Sequence, residues 1–461
     1  MARSTHRFIS RRLYFPLQRA RNFRKSARRP VMLAFYAGME FRRTTTHWST
    51  EQKREWILRR LHFSLRRAYR ETDFYRERFD HIGFDPFTDF SFADFARLPA
   101  LEKDDLFQAG KTILSKAIPK EKLLHDSTGG STGKPVEIWL GAEEQGWRES
   151  AGERFQEQIG APAGTRTALL WGHHLDPVKR DSLRDRFIAF LNHQRWFDCF
   201  RLAQDTLEKY HLEFQRWQPE LIIAYAAPLG ALAEWVAEHH LKPNYPEIGF
   251  VTGAEKLLPH HRAIIESVFR RPVHERYGSR DVGYIGYQLN PQQSTSFALD
   301  WANLLIEPES TETVSSILIT KLHADGMPMI RYRIGDLGHF PVASAPGNPS
   351  FTLNEIIGRE TDRIWLRSGR WISGSQIPHM MKDAAVQEYQ LVQQADYSIH
   401  LSIVPKREFN EAISSRIQST LGLNLEGLPI DIVVVDHIER TKANKFRPVI
   451  SHVKPLEQIA S

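Results

Sequence analysis

The sequence predicts an α/β fold in two parts, and three observations predict it. Between residues 136 and 340, apolar runs of strand length (166–171, 221–225, 247–252, 316–322 and 329–332) alternate with helical stretches such as 229–238 and 260–269. Such alternation builds α/β layers, whose ligands gather at the strand ends. Past residue 360 the pattern becomes strand (397–404), helix (409–421) and strand (429–436), enough to seed a small α+β domain. A chain of 461 residues is also long for one core. The expected division is a basic N-terminal arm (1–46), a large N-terminal domain (47–360) and a small C-terminal domain (361–461), with the boundary near Thr361.

Residues 47–115 read as helical. Ser49 is a capping residue ahead of a charged, periodic segment, and Leu58, Leu61, Leu65 and Ala68 follow at helical spacing. Amphipathic stretches at 68–79 and 92–106 continue the pattern and are expected to cover a core. The histidine pairs His173-His174, His239-His240 and His260-His261 lack metal-ligand spacing, since neighbours on an element point apart. No G-x-S-x-G motif is present.

The apolar fraction of 41% and charged fraction of 25% are those of a globular protein. The single cysteine, Cys199, excludes an internal disulfide and a cysteine-rich zinc site, and is compatible with a cytoplasmic setting. The net charge of +7 is local: residues 1–30 hold ten Lys/Arg and no acid, so the remainder carries 7 − 10 = −3. Such an arm is suited to anionic lipid, peripheral to a membrane, to nucleic acid or to a partner, with a solvated terminus as the alternative; no specific nucleic acid is expected. The longest apolar runs, 31–39 and 221–233, fall short of the ~20 residues that span a bilayer.

The densest chemistry lies at Asp126-Ser127-Thr128-Gly129-Gly130-Ser131-Thr132-Gly133-Lys134-Pro135. Glycines let backbone amides converge on an anion, hydroxyls add donors, and Lys134 adds charge. The stretch suits a polyphosphate and runs into strand-like alternation at Val136, Ile138 and Leu140. It is not a Walker A loop, because Thr128 replaces the first glycine and Pro135 follows the lysine.

Residues 128–135 fit a different pattern, [ST]-[SG]-G-[ST]-[ST]-G-x-P, and five further stretches match the same scheme in order. These are Gly253-Ala254-Glu255, Tyr277-Gly278-Ser279-Arg280-Asp281, Tyr332-Arg333-Ile334-Gly335-Asp336, the segment from Gly358 to Ile364, and Arg440-Thr441-Lys442-Ala443-Asn444-Lys445-Phe446-Arg447. Together they resemble the adenylate-forming superfamily, and the opening helices resemble its phenylacetate–CoA ligase and capsule-biosynthesis group. The resemblance covers roughly residues 65–450.

The resemblance implies a large adenylation domain of mixed sheets flanked by helices, and a small C-terminal domain that turns about a hinge at 361–362. It implies ATP, Mg²⁺ and, by default, CoA as cofactors, and a carboxylic acid as substrate. Ser127 and the loop to Lys134 would hold phosphates, and Gly253, Ala254 and Glu255 would pack against adenine. Tyr277, with Gly278 and Ser279, would stack on it. Asp281 would bind Mg²⁺, Asp336 the ribose hydroxyls, and Arg359 ribose or phosphate oxygens. Lys445 would stabilise charge as the carboxylate attacks the α-phosphate. Trp171, His173, Tyr225, Ala226 and Pro228 would line the acyl pocket, whose aromatic content suits an aryl or other apolar acid. A homodimer is compatible with the resemblance.

The sequence departs from the scheme at Gly129, Arg280, Asp281, Thr361 and Asn444. Arg280 replaces a hydroxyl residue and meets phosphate differently. Asn444 replaces a glycine, a position asparagine tolerates. Three alternatives stay open: an adenylating ligase that transfers to a sugar, amine or carrier thiol; a non-catalytic nucleotide-binding relative; and a membrane- or nucleic-acid-binding protein driven by the basic arm.

Overall fold

The computed structural model describes residues 25–127, 136–171, 193–199, 204–360, 363–373, 377, 385–439 and 448–453. Contacts divide the chain into two compact units, Met1–Ile334 with Phe340–Glu355, and Gly335–His339 with Ile356–Ser461.

The first unit opens with helices α1 (Lys25–Thr44), α2 (Thr50–Glu71), α3 (Asp73–His81), α4 (Phe92–Phe95) and α5 (Lys103–Ala109). At α2, Ser49 Oγ accepts from the Gln52 amide at 3.2 Å and the Gln52 side chain accepts from the Ser49 amide at 2.9 Å, a reciprocal cap. The buried stripe of α2 is Ile57, Leu61, Leu65 and Ala68. Ile57 heads it rather than Leu58, because the steps 57–61–65–68 keep one helical face.

Strands β1 (Leu124–Ser127) and β2 (Glu137–Leu140) form an antiparallel hairpin with Ser127 opposite Glu137. The ends of the Gly/Ser/Thr stretch are thereby held side by side. Helix α6 (Ala142–Gln158) follows, and α1 lies along it. Glycines permit the approach. A Cβ on Gly146 would stand 2.4 Å from Ala34 Cβ, and one on Gly38 would stand 2.3 Å from Ser150 Oγ. Arg42 completes the seam, buried and donating to both Asp300 oxygens at 2.9 Å. Residues 25–44 of the expected arm are therefore a docked helix, its apolar face set by Val31, Phe35 and Met39; residues 1–24 lie outside the described residues.

The chain then builds its main sheet with β3 (Thr167–Leu170), β4 (Gln194–Phe197), helix α7 (Gln204–Trp217), β5 (Leu221–Ala224), helix α8 (Ala226–Glu238), β6 (Gly249–Thr252), helix α9 (Pro259–Phe269), β7 (Val273–Ser279), β8 (Gly283–Tyr287) and β9 (Phe297–Leu299). Strands β10 (Leu304–Pro308), β11 (Val314–Lys321) and β12 (Tyr332–His339) follow, then β13 (Thr352–Leu353) and β14 (Glu355–Arg359). The main sheet runs β13-β9-β8-β7-β6-β5-β3-β4. From β4 to β7 it is parallel, and from β7 to β13 antiparallel, so it is a mixed sheet. Every residue of β3, β5 and β6 is buried, as befits parallel strands covered on both faces.

The strand expected at 329–332 is corrected: β12 only begins at Tyr332. The apolar run ahead of it is buried but irregular, because Arg331 has φ +52° and cannot extend the chain there. Its amide instead donates to Thr320 Oγ1 at 2.8 Å.

The second unit takes the latter half of β12 with Ile356–Arg359 of β14, then a hairpin of β15 (Arg363–Trp365) and β16 (Trp371–Ser373). It ends in a sheet ordered β19 (Ile430–Val434), β18 (Ile399–Pro405), β17 (Val386–Gln393) and β20 (Val449–Ser451). Helix α10 (Glu411–Asn424) supplies Ile417 and Leu421 to a core with Leu391, Leu401 and Ile403. Among the described residues no helix is long and apolar enough to cross a membrane.

Candidate active site

The parallel strands of the first unit end in register. Leu170 pairs with Ala224, Ala224 with Thr252, and Thr252 with Glu275. The next residue on each strand is Trp171, Tyr225, Gly253 and Arg276, one row along the carboxyl edge. The chain leaves β3 for β4 on one side and returns to β5 on the other. That reversal opens the crevice where α/β sheets receive ligands. Trp171 and Tyr225 flank it with ring centroids 4.4 Å apart.

Two of the expected pocket residues open α8. Ala226 and Pro228 stand in its first turn, where a proline is tolerated. Tyr225 provides no side-chain cap; the Glu255 carboxylate does so instead, accepting from the Ala227 amide at 2.7 Å. Glu255 reaches it because the chain turns sharply off β6, with Ala254 at φ +70°, a left-handed conformation that costs about 1 kcal/mol or more without glycine. Gly253 has a different reason to be glycine: a Cβ would stand 2.9 Å from the Arg276 Cγ and Nε. Tyr225 is buried, and burial raises its phenol to about 12; Cys199 and Glu255 add to this, against Arg280 and Arg276.

The second cluster follows β7. Tyr277 is half-buried with its ring edge-on to Phe297 at 6.4 Å. Gly278 meets the turn closely, since a Cβ would lie 2.6 Å from the Gly283 carbonyl oxygen. Ser279 Oγ accepts from the Val282 amide at 3.4 Å. Arg280 reaches back to β1. Its Nη1 donates to the Ser127 carbonyl at 3.0 Å and lies 3.6 Å from Asp126 Oδ1. It thus holds the residue from which the Gly/Ser/Thr stretch departs. Asp281 is buried and accepts at Oδ2 from the Tyr332 hydroxyl at 2.8 Å.

Behind these residues lies a buried set of charges. Lys321 Nζ is 2.8 Å from Glu144 Oε1, with both side chains 2% exposed. Arg148 is 3.8 Å from the same carboxylate and donates to the Arg280 carbonyl at 3.0 Å. Burial lowers the Lys321 pKa, while Glu144 and Asp281 act to raise it. Charge this deep persists because it is paired.

In the second unit, Arg359 Nε stands 3.0 Å from Asp336 Oδ1. Gly335 at φ +81° turns the strand just before the aspartate, and a Cβ there would lie 3.5 Å from the Arg359 guanidinium. Asp336 shares β12 with Tyr332. Residues Thr128, Gly129, Gly130, Ser131, Thr132, Gly133 and Lys134, and likewise His173, Thr361, Asp362 and Lys445, lie outside the described residues.

Sequence reasoning did not single out Arg276, Arg148, Lys321 or the hydroxyl of Tyr332 as site groups. Arg276 stands beside the quoted tyrosine motif, but the Trp171 ring it faces lies 105 residues earlier in the chain. Among the described residues no group of three or more His, Cys, Asp or Glu could hold a metal ion. Asp281 is the one expected site carboxylate buried in the first unit, and a single oriented carboxylate fits Mg²⁺ that takes its other ligands from phosphate oxygens and water.

No family model matches the chain. Protein CapK of Staphylococcus aureus is 24% identical over 281 residues, 60% of this chain and 61% of that protein; the match thus spans about three fifths of CapK's length. Phenylacetate-coenzyme A ligase of Pseudomonas putida is 23% identical over 333 residues, 69% of this chain and 73% of that one. Among solved structures, a 2-hydroxyisobutyryl-CoA ligase in its postadenylation state superposes with a TM-score of 0.65 at 19% identity, covering 88% of this chain and 90% of that one. ATP-bound MatB from Rhodopseudomonas palustris gives 0.50 at 14% identity, covering 72% and 67%. With a mixed α/β sheet in a large first unit and a small α+β second unit, the chain shares the fold of the 2-hydroxyisobutyryl-CoA ligase. Its curated relatives are CapK and the phenylacetate-coenzyme A ligases, each 23–24% identical to it.

Proposed function

We propose that the chain is an AMP-forming acid–thiol ligase acting on a carboxylic acid. The carboxylate oxygen attacks the α-phosphorus of ATP and the bond to the β-phosphate oxygen breaks, releasing pyrophosphate. The sulfur of CoA then attacks the acyl carbon, AMP leaves and the thiol proton is lost to water. The observation that carries this reading is the turn after β7, which sets Arg280 on the Ser127 carbonyl at 3.0 Å and Asp281 under the Tyr332 hydroxyl at 2.8 Å. A guanidinium thus stands at the start of the Gly/Ser/Thr stretch, with an oriented carboxylate next to it in the chain, a pairing suited to a metal-bound polyphosphate.

On this reading residues 128–134 cradle the phosphates, and Asp281 holds Mg²⁺, which would neutralise phosphate charge. Tyr277 and the turn at Gly253–Glu255 serve adenine, and Asp336 with Arg359 serves ribose. Lys445 stabilises charge at the α-phosphate during attack. The second unit, turning about 361–362, brings Lys445 in for the first step and withdraws it for the second. CoA as acceptor is supported by the relatives named phenylacetate-coenzyme A ligase. A pyrophosphate-release screen over a panel of acids, with and without CoA, tests this. Release with at least one acid, and a CoA thioester when CoA is present, is expected; no release with any acid would overturn it.

A second reading keeps the adenylation and changes the acceptor to a sugar, an amine or a carrier thiol. It is favoured by the CapK relative and by Arg280, which replaces the hydroxyl residue of the family's scheme. Acyl-AMP that persists in the presence of CoA would support it.

A further inference from the structure

The row Trp171, Tyr225, Gly253 and Arg276 holds one charge, and among the described residues that charge has no carboxylate partner. Arg276 is half-buried. Its guanidinium carbon lies 4.8 Å from the centroid of the Trp171 ring and 5.6 Å from that of Tyr284. Its Nη1 donates to the Tyr284 hydroxyl at 3.4 Å. The side chain is led there by Gly253, whose missing Cβ leaves the space it crosses. The carboxylates around it are engaged elsewhere. Glu255 caps α8 through Ala227, and Glu275 accepts from the Leu257 amide at 3.2 Å and faces Arg262 at 3.7 Å. A guanidinium set between aromatic faces, partly out of water and without an acid among the described residues, is a site prepared for an anion.

The reacting end of the substrate belongs elsewhere. Arg280 faces the Ser127 carbonyl, where the Gly/Ser/Thr stretch begins, whereas Arg276 leans toward Trp171. Arg280 stands in the turn past the end of β7, beyond the bulge at Tyr277/Gly278, whereas Arg276 lies within the strand. The two guanidinia therefore address two ends of a bound molecule. Resting on the adenylation reading above, we propose that Arg276 is the specificity-determining residue of the acyl site, and that the acid it selects is a dicarboxylic acid whose distal carboxylate pairs with the guanidinium. The touching rings of Trp171 and Tyr225 then line one side of the carbon chain between the two carboxylates. This replaces the expectation of an aryl or apolar acid, because the face of Trp171 that would receive an aryl ring carries a guanidinium.

The test compares malonate, succinate, glutarate and adipate, each against its monomethyl ester and against phenylacetate, by acid-dependent pyrophosphate release. The full chain and its Arg276→Met and Arg276→Lys variants are used. The parent is expected to prefer at least one diacid over its monoester by tenfold or more in kcat/KM. Arg276→Met should lower the diacid value 10- to 100-fold and the monoester value much less. Arg276→Lys, which keeps the charge, should restore part of the preference and shows that the position tolerates change. Equal loss for every acid with a raised KM for ATP would assign Arg276 to the nucleotide's phosphates and overturn the proposal. So would phenylacetate or the monoesters outrunning every diacid in the parent. Absence of release from the parent with all these acids and with the wider acid panel would instead sink the adenylation reading, and this proposal with it.

Discussion

Tyr332 donates its hydroxyl to Asp281 Oδ2 at 2.8 Å, and both side chains are buried. The contact joins two motifs that lie fifty-one residues apart in sequence. It leaves the carboxylate fixed in direction, with its other oxygen available to a cation.

Tyr332→Phe removes that constraint. A hydrogen bond of this kind contributes about 1–2 kcal/mol, so acid-dependent pyrophosphate release should fall roughly five- to thirtyfold. The concentration of Mg²⁺ needed for half-maximal rate should rise. A magnesium titration of the variant checks both; an unchanged requirement would show that the tyrosine does not orient the metal's carboxylate.

Arg280→Ala should raise the KM for ATP about tenfold, the effect of losing a charge-assisted contact beside a phosphate. The KM for the acid should change much less. Initial rates over an ATP-by-acid grid distinguish this from a general loss of activity, in which both constants would move together.

Stability should fall in acid through His323. The ring is 3% exposed and stacks on Trp147 with centroids 3.7 Å apart. Its Nε2 donates to the Ala302 carbonyl at 3.2 Å, which leaves Nδ1 to accept from Arg60 at 2.9 Å; Glu143 also faces the ring. Burial lowers the imidazole pKa from 6.5 to about 4. The folded state thus prefers the neutral ring. Its contribution is fully present above pH 6.5 and is lost as pH falls toward 4, in total on the order of 3 kcal/mol. Urea denaturation at stepped pH should show this decline, and His323→Gln should flatten it while lowering stability at pH 7.

Parts of the fold are legible in the sequence because burial there is simple. Leu221–Ala224 is apolar at every position because both sheet faces are covered, and the Ser49 cap announces α2. Val386–Gln393 is harder to see, since only Leu391 and Gln393 of its eight residues are buried. The run at 329–331 misleads because an apolar, buried segment need not be extended, and Arg331 turns it. For the candidate site, the motifs are visible as strings, but their contacts are not. That Arg280 reaches Ser127, or that Arg276 stands in one row with Trp171, depends on the register of β3, β5, β6 and β7. No local pattern encodes that register.

The central claim is that this chain forms an acyl-adenylate with Lys445 stabilising the attack. ATP–pyrophosphate exchange measures that step without reference to the acceptor. The account predicts exchange that depends on an added acid in the parent, and a loss of at least a hundredfold in Lys445→Ala with ATP binding retained. Acid-dependent exchange that survives intact in Lys445→Ala would contradict it.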